Sequence, residues 1–257
     1  MNKAIDFDQI ADLYDIFVAT DVDVQFWLDE ARSSGGSCLE LMCGTGRIGL
    51  RLVEAETPYT GLDYSRKLLA RFDEKLAAAN RRVKLVHADA RWFDLPDRFG
   101  LIFIGFHSLA EVLDDNDKLE VLKRVSEHLV AGGAFTFSLH NPAIRTSSLT
   151  GELSEPVVFP LGDGRGTLEF THRFSPPAAS GLVTGIQFFE IKDEGGQTVE
   201  QRSVDVRFHL INKGRIEELL RQAGFQIDSC WGDYDRSELT PERPYMIYRC
   251  TPTGGSD

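Results

Sequence analysis

Three acidic residues come at the ends of three successive predicted strands, and a glycine-containing turn follows the first of them. Glu40 lies in the first strand, Asp63 ends the second, and Asp89 follows the third. The turn at residues 41–47 reads LMCGTGR and leads into a predicted helix. Such a turn lets backbone N–H groups approach a ligand closely, and carboxylates beside it accept hydrogens from hydroxyl and amino groups. The pattern predicts a site for a nucleoside-like ligand.

The spacing of these residues distinguishes the site from a dinucleotide site. Asp63 follows the turn at about the 20 residues expected of a ribose-binding carboxylate. A dinucleotide turn has a third glycine, and here Gly49 is the nearest candidate, at the wrong spacing. A nicotinamide-dependent oxidoreductase would explain the turn and Asp63, but it would not explain Asp89. The chain also lacks a Tyr-x-x-x-Lys hydride site.

Residues 40–47 resemble motif I of the class I S-adenosylmethionine-dependent methyltransferases. The resemblance covers residues 8–142 by specific motifs and 212–250 by topology and the patterns AGF and GDYD. It implies S-adenosylmethionine as the cofactor and S-adenosylhomocysteine as the product. The family usually has a glycine where this chain has Met42, so we expect a less tight backbone path at that residue.

The resemblance also assigns roles to the acidic residues. It implies that Asp63 binds the ribose hydroxyls and that Asp89 accepts a hydrogen bond from the adenine amino group, with the backbone at Ala90 meeting the ring. Glu40 either sits behind the turn and holds it or reaches the methionine amino group indirectly.

Other residues complete the expected cofactor site. Tyr14, in the motif ADLYD, contacts the cofactor carboxylate or is a core aromatic of an amphipathic helix. Arg47 assists with the same carboxylate or is solvated, and Phe106 packs against the cofactor. The expected cofactor-binding set is Tyr14, Glu40, Met42, Gly44, Gly46, Arg47, Asp63, Tyr64, Asp89, Ala90 and Phe106.

Two histidines are candidates for a general base. Methyl transfer from a sulfonium needs alignment and exclusion of water, and a hydroxyl acceptor usually needs a base as well. His107 and His140 follow the fourth and fifth predicted strands, at the edge where this fold places its substrate. The alternative for each is a hydrogen-bonded loop residue, or for His107 one packed on the methionine moiety. His209 is a weaker candidate for the same cavity.

Strands and helices alternate through the first half of the chain, which predicts a parallel sheet covered on both faces. Helices are expected over 7–18, 22–32 and 114–129, the last stopped by Gly132-Gly133 before a strand over 134–139. The resemblance implies an α/β, Rossmann-like fold whose seven-stranded, mostly parallel sheet has an antiparallel last strand. Residues 1–142 and 212–251 form this core, and 143–211 form an antiparallel β insert that acts as a lid. Its phenylalanines either wall the substrate chamber or form the buried face of the insert's sheet.

The charge balance bears on the partners of the chain. With 28 Lys and Arg against 40 Asp and Glu, the formal net charge is −12, which disfavours nucleic acid and anionic membranes. The acidic N-terminus and the lack of a long apolar run predict a cytoplasmic protein. We therefore expect methyl transfer to nitrogen or oxygen of a small-molecule metabolite, with natural-product biosynthesis as one setting. A non-catalytic S-adenosylmethionine-binding or scaffold protein is the alternative, and a homodimer through the insert is a further option.

Overall fold

Two β-sheets, of seven and four strands, organise the residues that the computed structural model describes, which are 4–162 and 164–254. In chain order the strands are β1 (Cys38–Leu41), β2 (Tyr59–Asp63), β3 (Lys84–His87), β4 (Phe99–Ile104), β5 (Leu129–His140), β6 (Val157–Pro160), β7 (Thr167–Phe174), β8 (Leu182–Lys192), β9 (Thr198–His209), β10 (Phe225–Trp231) and β11 (Tyr245–Pro252). The helices are α1 (Tyr14–Phe17), α2 (Val24–Ser34), α3 (Gly49–Glu54), α4 (Arg66–Ala78), α5 (Asp115–His128), α6 (Pro142–Arg145) and α7 (Lys213–Gln222). Short 3-10 helices span Phe7–Gln9, Ser108–Glu111 and Thr146–Ser148.

The larger sheet has the strand order β10-β11-β5-β4-β1-β2-β3. The five strands from β1 to β5 pair in parallel, whereas β11 is antiparallel to both of its neighbours. This arrangement confirms the predicted Rossmann-like sheet with an antiparallel last strand. Because the carboxyl ends of β1, β2, β4 and β5 meet at one edge, the loops that follow them form a common site.

The smaller sheet, β6-β7-β8-β9, is antiparallel throughout, as predicted for the insert. One hydrophobic cluster joins this sheet to the N-terminal segment, with Ile10 and Leu13 packed among Leu168, Val183 and other insert residues. Two further clusters form the core around the larger sheet. None of the helices in the described part of the chain is long and apolar enough to cross a membrane.

The expected continuous helix over 7–18 is wrong. The structure has a 3-10 turn at Phe7–Gln9 and then the single turn α1, neither with a side-chain cap. Tertiary bonds hold this segment instead, since the Ser65 hydroxyl bonds to Asp8 and the Thr45 hydroxyl to Asp15. A helix this short has little stability of its own, so these contacts determine the conformation.

The expected end of the helix at Gly132-Gly133 is also wrong. Helix α5 ends at His128 and β5 begins at once, so both glycines lie within the strand. A Cβ on Gly133 would lie 2.9 Å from the carbonyl oxygen of Phe99 in the adjacent strand. The glycine therefore permits close approach of two strands, and it does not stop the helix.

Candidate active site

The turn after β1 has three residues in the left-handed backbone region. The φ angles are +59° at Met42, +55° at Gly44 and +75° at Gly46. The expected less tight path at Met42 is therefore wrong, because this residue adopts the conformation that usually favours glycine. The Gly44 N–H donates to Asp63 Oδ2 at 2.8 Å, which ties the turn to the end of β2.

Glu40 lies behind the turn and is buried. The Tyr59 hydroxyl of β2 donates to Glu40 Oε2 at 2.6 Å. Burial raises the pKa of Glu40 to about 8, so the side chain carries a proton at neutral pH. This position matches the first of its two expected roles, that of holding the turn.

Arg47 is held inside the protein by an ion pair that the sequence did not indicate. Its guanidinium donates to both carboxylate oxygens of Asp23, with Nη2 at 2.8 Å from Oδ2, and also to the Thr20 carbonyl. It lies 4.8 Å from the centre of the Phe106 ring. The expectation of a solvated Arg47 is wrong, and the pair fixes the guanidinium beside the turn.

A first cavity of about 350 Å³ lies over the ends of β1, β2 and β3. Its walls include five of the expected cofactor residues, namely Met42, Asp63, Tyr64, Asp89 and Ala90. Glu40, Gly44, Gly46 and Arg47 do not line it.

Asp63 and Asp89, two of the acidic residues that line the first cavity, differ in pKa. Burial raises the pKa of Asp63 to about 6, although backbone N–H groups of Ser65 and Gly44 donate to its carboxylate. Burial also acts to raise the pKa of Asp89, but the hydrogen bonds and charge of Arg91 outweigh it and hold the pKa below the usual value. Each carboxylate oxygen retains a lone pair for a further donor.

A second cavity of about 310 Å³ lies between the larger sheet and the insert. Tyr14, Phe106, His107 and His140 line it, together with residues of the insert. Of the insert phenylalanines, Phe170, Phe174 and Phe208 face the cavity, whereas Phe189 is buried in the core of the insert. Both expected roles of these aromatics are therefore present, at different residues.

The N-terminal segment joins the two cavities to the insert. The Tyr64 hydroxyl donates to the Ile5 carbonyl at 2.5 Å, and Ile5 pairs with Val206 of β9. Tyr14 packs edge-on against Phe7 and Phe17, with ring centres 5.6 Å from each. These contacts place Tyr14 on the wall of the second cavity.

His107 and His140 lie side by side in the second cavity. Their ring centres are 4.0 Å apart, and the ring of Tyr245 stacks 4.8 Å from that of His107. Phe106 and His107 both have positive φ angles, of +50° and +63°, a strained backbone of the kind found at functional sites. Burial lowers the pKa of His107 well below its usual value and that of His140 to about 4, so both rings are neutral at neutral pH.

His209 does not belong to the walls of this cavity. Its Nδ1 lies 2.9 Å from Lys118 Nζ, and its Nε2 lies 2.7 Å from the Ser180 carbonyl oxygen. Both ring nitrogens are therefore engaged at the base of the insert.

Glu111 is the residue that the sequence reasoning missed. It ends the 3-10 helix Ser108–Glu111 and lines both cavities. Within residues 4–162 and 164–254 its carboxyl makes no hydrogen bond or ion pair. Burial, and then the charge of Asp63, raise its pKa to about 8. The sequence feature that could have indicated Glu111 is its position four residues after His107, in the loop that follows β4.

Comparison with known proteins identifies the sheet and the turn. Residues 38–133 match a family model described as a methyltransferase domain. These residues are therefore a methyltransferase domain. The match, together with the similar structures, confirms the prediction of an S-adenosylmethionine-dependent methyltransferase with this fold, and it favours methyl transfer over the oxidoreductase alternative.

Three similar proteins extend the comparison beyond the matched domain. A Bacillus subtilis (strain 168) protein named as a methyltransferase, YqeM, is 24% identical over 232 residues, 87% of each chain. An S-adenosylmethionine-dependent methyltransferase from Clostridium acetobutylicum ATCC 824 has a TM-score of 0.79 at 20% identity, over 96% of this chain and 99% of that one. The S-adenosylmethionine-bound amino pentose methyltransferase CalS10 from Micromonospora echinaspora has a TM-score of 0.68 at 18% identity, over 90% of this chain and 92% of that one. The fold thus extends through the insert and the C-terminal strands.

Proposed function

We propose that this chain transfers a methyl group from S-adenosylmethionine to nitrogen or oxygen of a small-molecule metabolite, with natural-product biosynthesis as one setting. The observation that carries the proposal is the pair of cavities that share the wall residue Glu111. One cavity has the acidic strand ends suited to a nucleoside, and the other is enclosed by aromatic side chains of the insert. The similarity to an amino pentose methyltransferase supports a small acceptor.

The residues of the first cavity fit S-adenosylmethionine. The Asp63 carboxylate is suited to ribose hydroxyls, and Asp89 with the Ala90 backbone to adenine. The unpaired Glu111 carboxyl suits a neighbouring cation, which the bound cofactor provides as its sulfonium. When bound, S-adenosylmethionine supplies an electrophilic methyl group on that sulfur. Tyr14 and Phe106 would border its methionine portion.

The chain's own residues align the acceptor and handle its proton. With an acceptor bound, Phe170, Phe174 and Phe208 would help to exclude water from the second cavity. With a pKa near 8, Glu111 is mostly protonated at neutral pH in the empty cavity, but the positive charge of a bound sulfonium would lower that pKa and leave a carboxylate that can accept a proton. His140 has a pKa of only about 4 and is a weaker base. We therefore propose that Glu111 takes the proton that an ammonium or hydroxyl acceptor loses. This role replaces the one first expected of His107 and His140.

The two histidines then have an orienting role. His107 Nδ1 is buried and has no hydrogen-bond partner among the described residues. As a neutral ring it can accept a hydrogen bond from the acceptor's N–H or O–H group or donate one to it. His140, packed against it, restricts the ring's orientation.

The proposal is tested by cofactor binding and turnover. Calorimetry should show S-adenosylhomocysteine binding to the wild-type protein, and radiolabelled S-adenosylmethionine should methylate members of a library of small amines and alcohols. Glu111→Gln should retain S-adenosylhomocysteine binding and lose about 10²–10⁴-fold in kcat, the range of general-base catalysis. Glu155→Gln, an exposed acid of the same type, is the matched control. No binding of S-adenosylhomocysteine would refute the function, and binding without turnover of any acceptor would favour the non-catalytic alternative.

The remaining expectations are proposals of the same kind. We propose that 1–142 and 212–251 act as the cofactor-binding core and 143–211 as its lid. Residues 1–3 and 163 lie outside the described part of the chain. We propose a cytoplasmic protein, and the net charge of −12 disfavours binding to nucleic acid and anionic membranes. Sedimentation would test a homodimer through the insert.

A further inference from the structure

Arg145 places a cation in the second cavity. It is the last residue of α6, a short helix that follows β5 and is capped by the Asn141 side chain. Its Nη1 donates to Ser148 Oγ at 3.1 Å. Its Nε is buried and has no hydrogen-bond partner among the described residues. The guanidinium therefore has unused donors inside a ligand-sized cavity.

Three other partly buried arginines are paired with carboxylates, and Arg145 is not. Arg47 pairs with Asp23, Arg91 with Asp89, and Arg249 with Glu30. For Arg145, no ion pair occurs within the described ranges. Its guanidinium carbon lies 5.8 Å from the Phe174 ring centre and 5.9 Å from that of Phe208. Burial lowers its pKa, although the group stays charged.

A desolvated guanidinium without an anion is costly to bury. A carboxylate or phosphate that enters the cavity would accept hydrogen bonds from it, and such charge-assisted bonds are among the stronger ones in proteins. The neutral imidazoles of His140 and His172 line the same cavity and provide further N–H donors.

We propose that Arg145 forms an anion subsite in the second cavity and binds a carboxylate or phosphate group of the methyl acceptor. That the ligand is the acceptor rests on the proposed function. The acceptor is then an amine or alcohol that carries an anionic group at a distance from the methylated atom.

Glu111 and Arg145 both line the second cavity, and among the described residues they form no ion pair with each other. Glu111 lies near Asp63, at the boundary with the first cavity, whereas the charge of Arg145 acts on His107, His140 and His172. An acceptor amine can therefore face Glu111 while its anionic group faces Arg145. Arg145 contacts rings of the insert and does not line the first cavity, which favours an acceptor held by the insert over the cofactor carboxylate as its anion.

The test uses matched probes of known charge. Ligand-observed NMR would measure binding of benzoate, phenyl phosphate and neutral benzamide to the protein with and without S-adenosylhomocysteine. We expect one or both anions to bind the wild type at least tenfold more tightly than benzamide. Arg145→Gln should remove that preference and Arg145→Lys should retain part of it. Arg82→Gln, an exposed arginine outside the cavities, should leave it unchanged.

The outcomes separate this inference from the proposed function. Equal binding of benzoate, phenyl phosphate and benzamide by the wild type would overturn the anion subsite, whatever the result with S-adenosylhomocysteine. If Arg145→Gln and Arg145→Lys both stay folded but lose S-adenosylhomocysteine binding, Arg145 serves the cofactor and the inference is wrong. Tighter binding of benzoate than of phenyl phosphate would indicate that the acceptor's anionic group is a carboxylate. Tighter binding of phenyl phosphate would indicate a phosphate. Anion binding without S-adenosylhomocysteine binding would keep the subsite and refute the proposed function.

Discussion

Replacing Gly46 with alanine tests how tightly the glycine-containing turn after β1 is packed. At Gly46, φ is +75° and an added Cβ would lie 2.2 Å from ring atoms of Phe72, which is fully buried. At Gly44, φ is +55°, but the nearest atom to an added Cβ is Leu68 Cδ1 at 3.9 Å. The two glycines thus share a backbone conformation and differ in the space around them, so each is the control for the other.

The expected magnitudes follow from that difference. A left-handed conformation costs an L-residue about 1–2 kcal/mol, and alanine recovers about 0.4–1 kcal/mol by restricting the unfolded chain. At Gly46 the overlap with Phe72 adds an overpacking cost of about 1–3 kcal/mol. We therefore expect Gly46→Ala to lower the free energy of unfolding by about 2–4 kcal/mol and Gly44→Ala by about 1 kcal/mol.

Urea unfolding followed by circular dichroism measures these changes in the free energy of unfolding. Calorimetry measures the affinity of each variant for S-adenosylhomocysteine. Because the Gly44 N–H donates to Asp63, we expect Gly44→Ala to weaken ligand binding by more than its loss of stability explains. Equal destabilisation by the two substitutions, or a larger effect at Gly44, would refute the steric reasoning.

Further predictions concern the charged residues around the turn. Asp63→Ala should weaken S-adenosylhomocysteine binding at least tenfold in a calorimetric titration, whereas Asp63→Asn should retain part of the affinity, because the amide oxygen still accepts one backbone N–H. Asp23→Asn should lower the free energy of unfolding by about 3–5 kcal/mol, since it leaves Arg47 charged and unpaired in a buried site; a loss under 1 kcal/mol in urea titration would contradict this. Burial raises the pKa of Glu40 from 4.5 to about 8 in the folded state, so the folded protein keeps a proton that the unfolded chain has released. Its contribution to stability is complete below pH 4.5 and is lost as the pH rises toward 8. The urea concentration at the midpoint of unfolding should therefore fall as the pH rises from 5 to 8. Glu40→Gln should reduce this dependence of the midpoint on pH.

The cofactor side of the site was predictable from sequence because its residues lie at fixed chain positions. Asp63 and Asp89 follow β2 and β3, and parallel pairing brings the ends of neighbouring strands together. The turn between them has a recognisable composition. The backbone conformation at Met42 was not predicted, because the hydrogen bond from Gly44 to Asp63 fixes the turn even without a glycine at that position.

The acceptor side was less predictable because its residues come from irregular segments. Glu111 and Arg145 end helical turns of four residues each, which have no periodicity to mark an inward face. The partner of Arg47 is 24 residues away in sequence, at the start of α2, and no motif connects them. Which charged side chains lack a charged partner depends on tertiary packing, and that property distinguished Glu111 and Arg145 in the structure.

The charge arrangement bears on how such a site can accelerate methyl transfer. Positive charge passes from sulfur to the acceptor as the methyl group moves, so a carboxylate that stabilised only the sulfonium would oppose the reaction. Glu111 faces both cavities, so its charge acts on the reactant and on the product cation alike. Its contribution then lies in removing the proton, and the rate otherwise depends on alignment. We therefore expect kcat/KM of the wild type to decrease at acidic pH as Glu111 and the acceptor become protonated. A Glu111→Gln enzyme with an unchanged pH profile would show that the acceptor gives its proton directly to water.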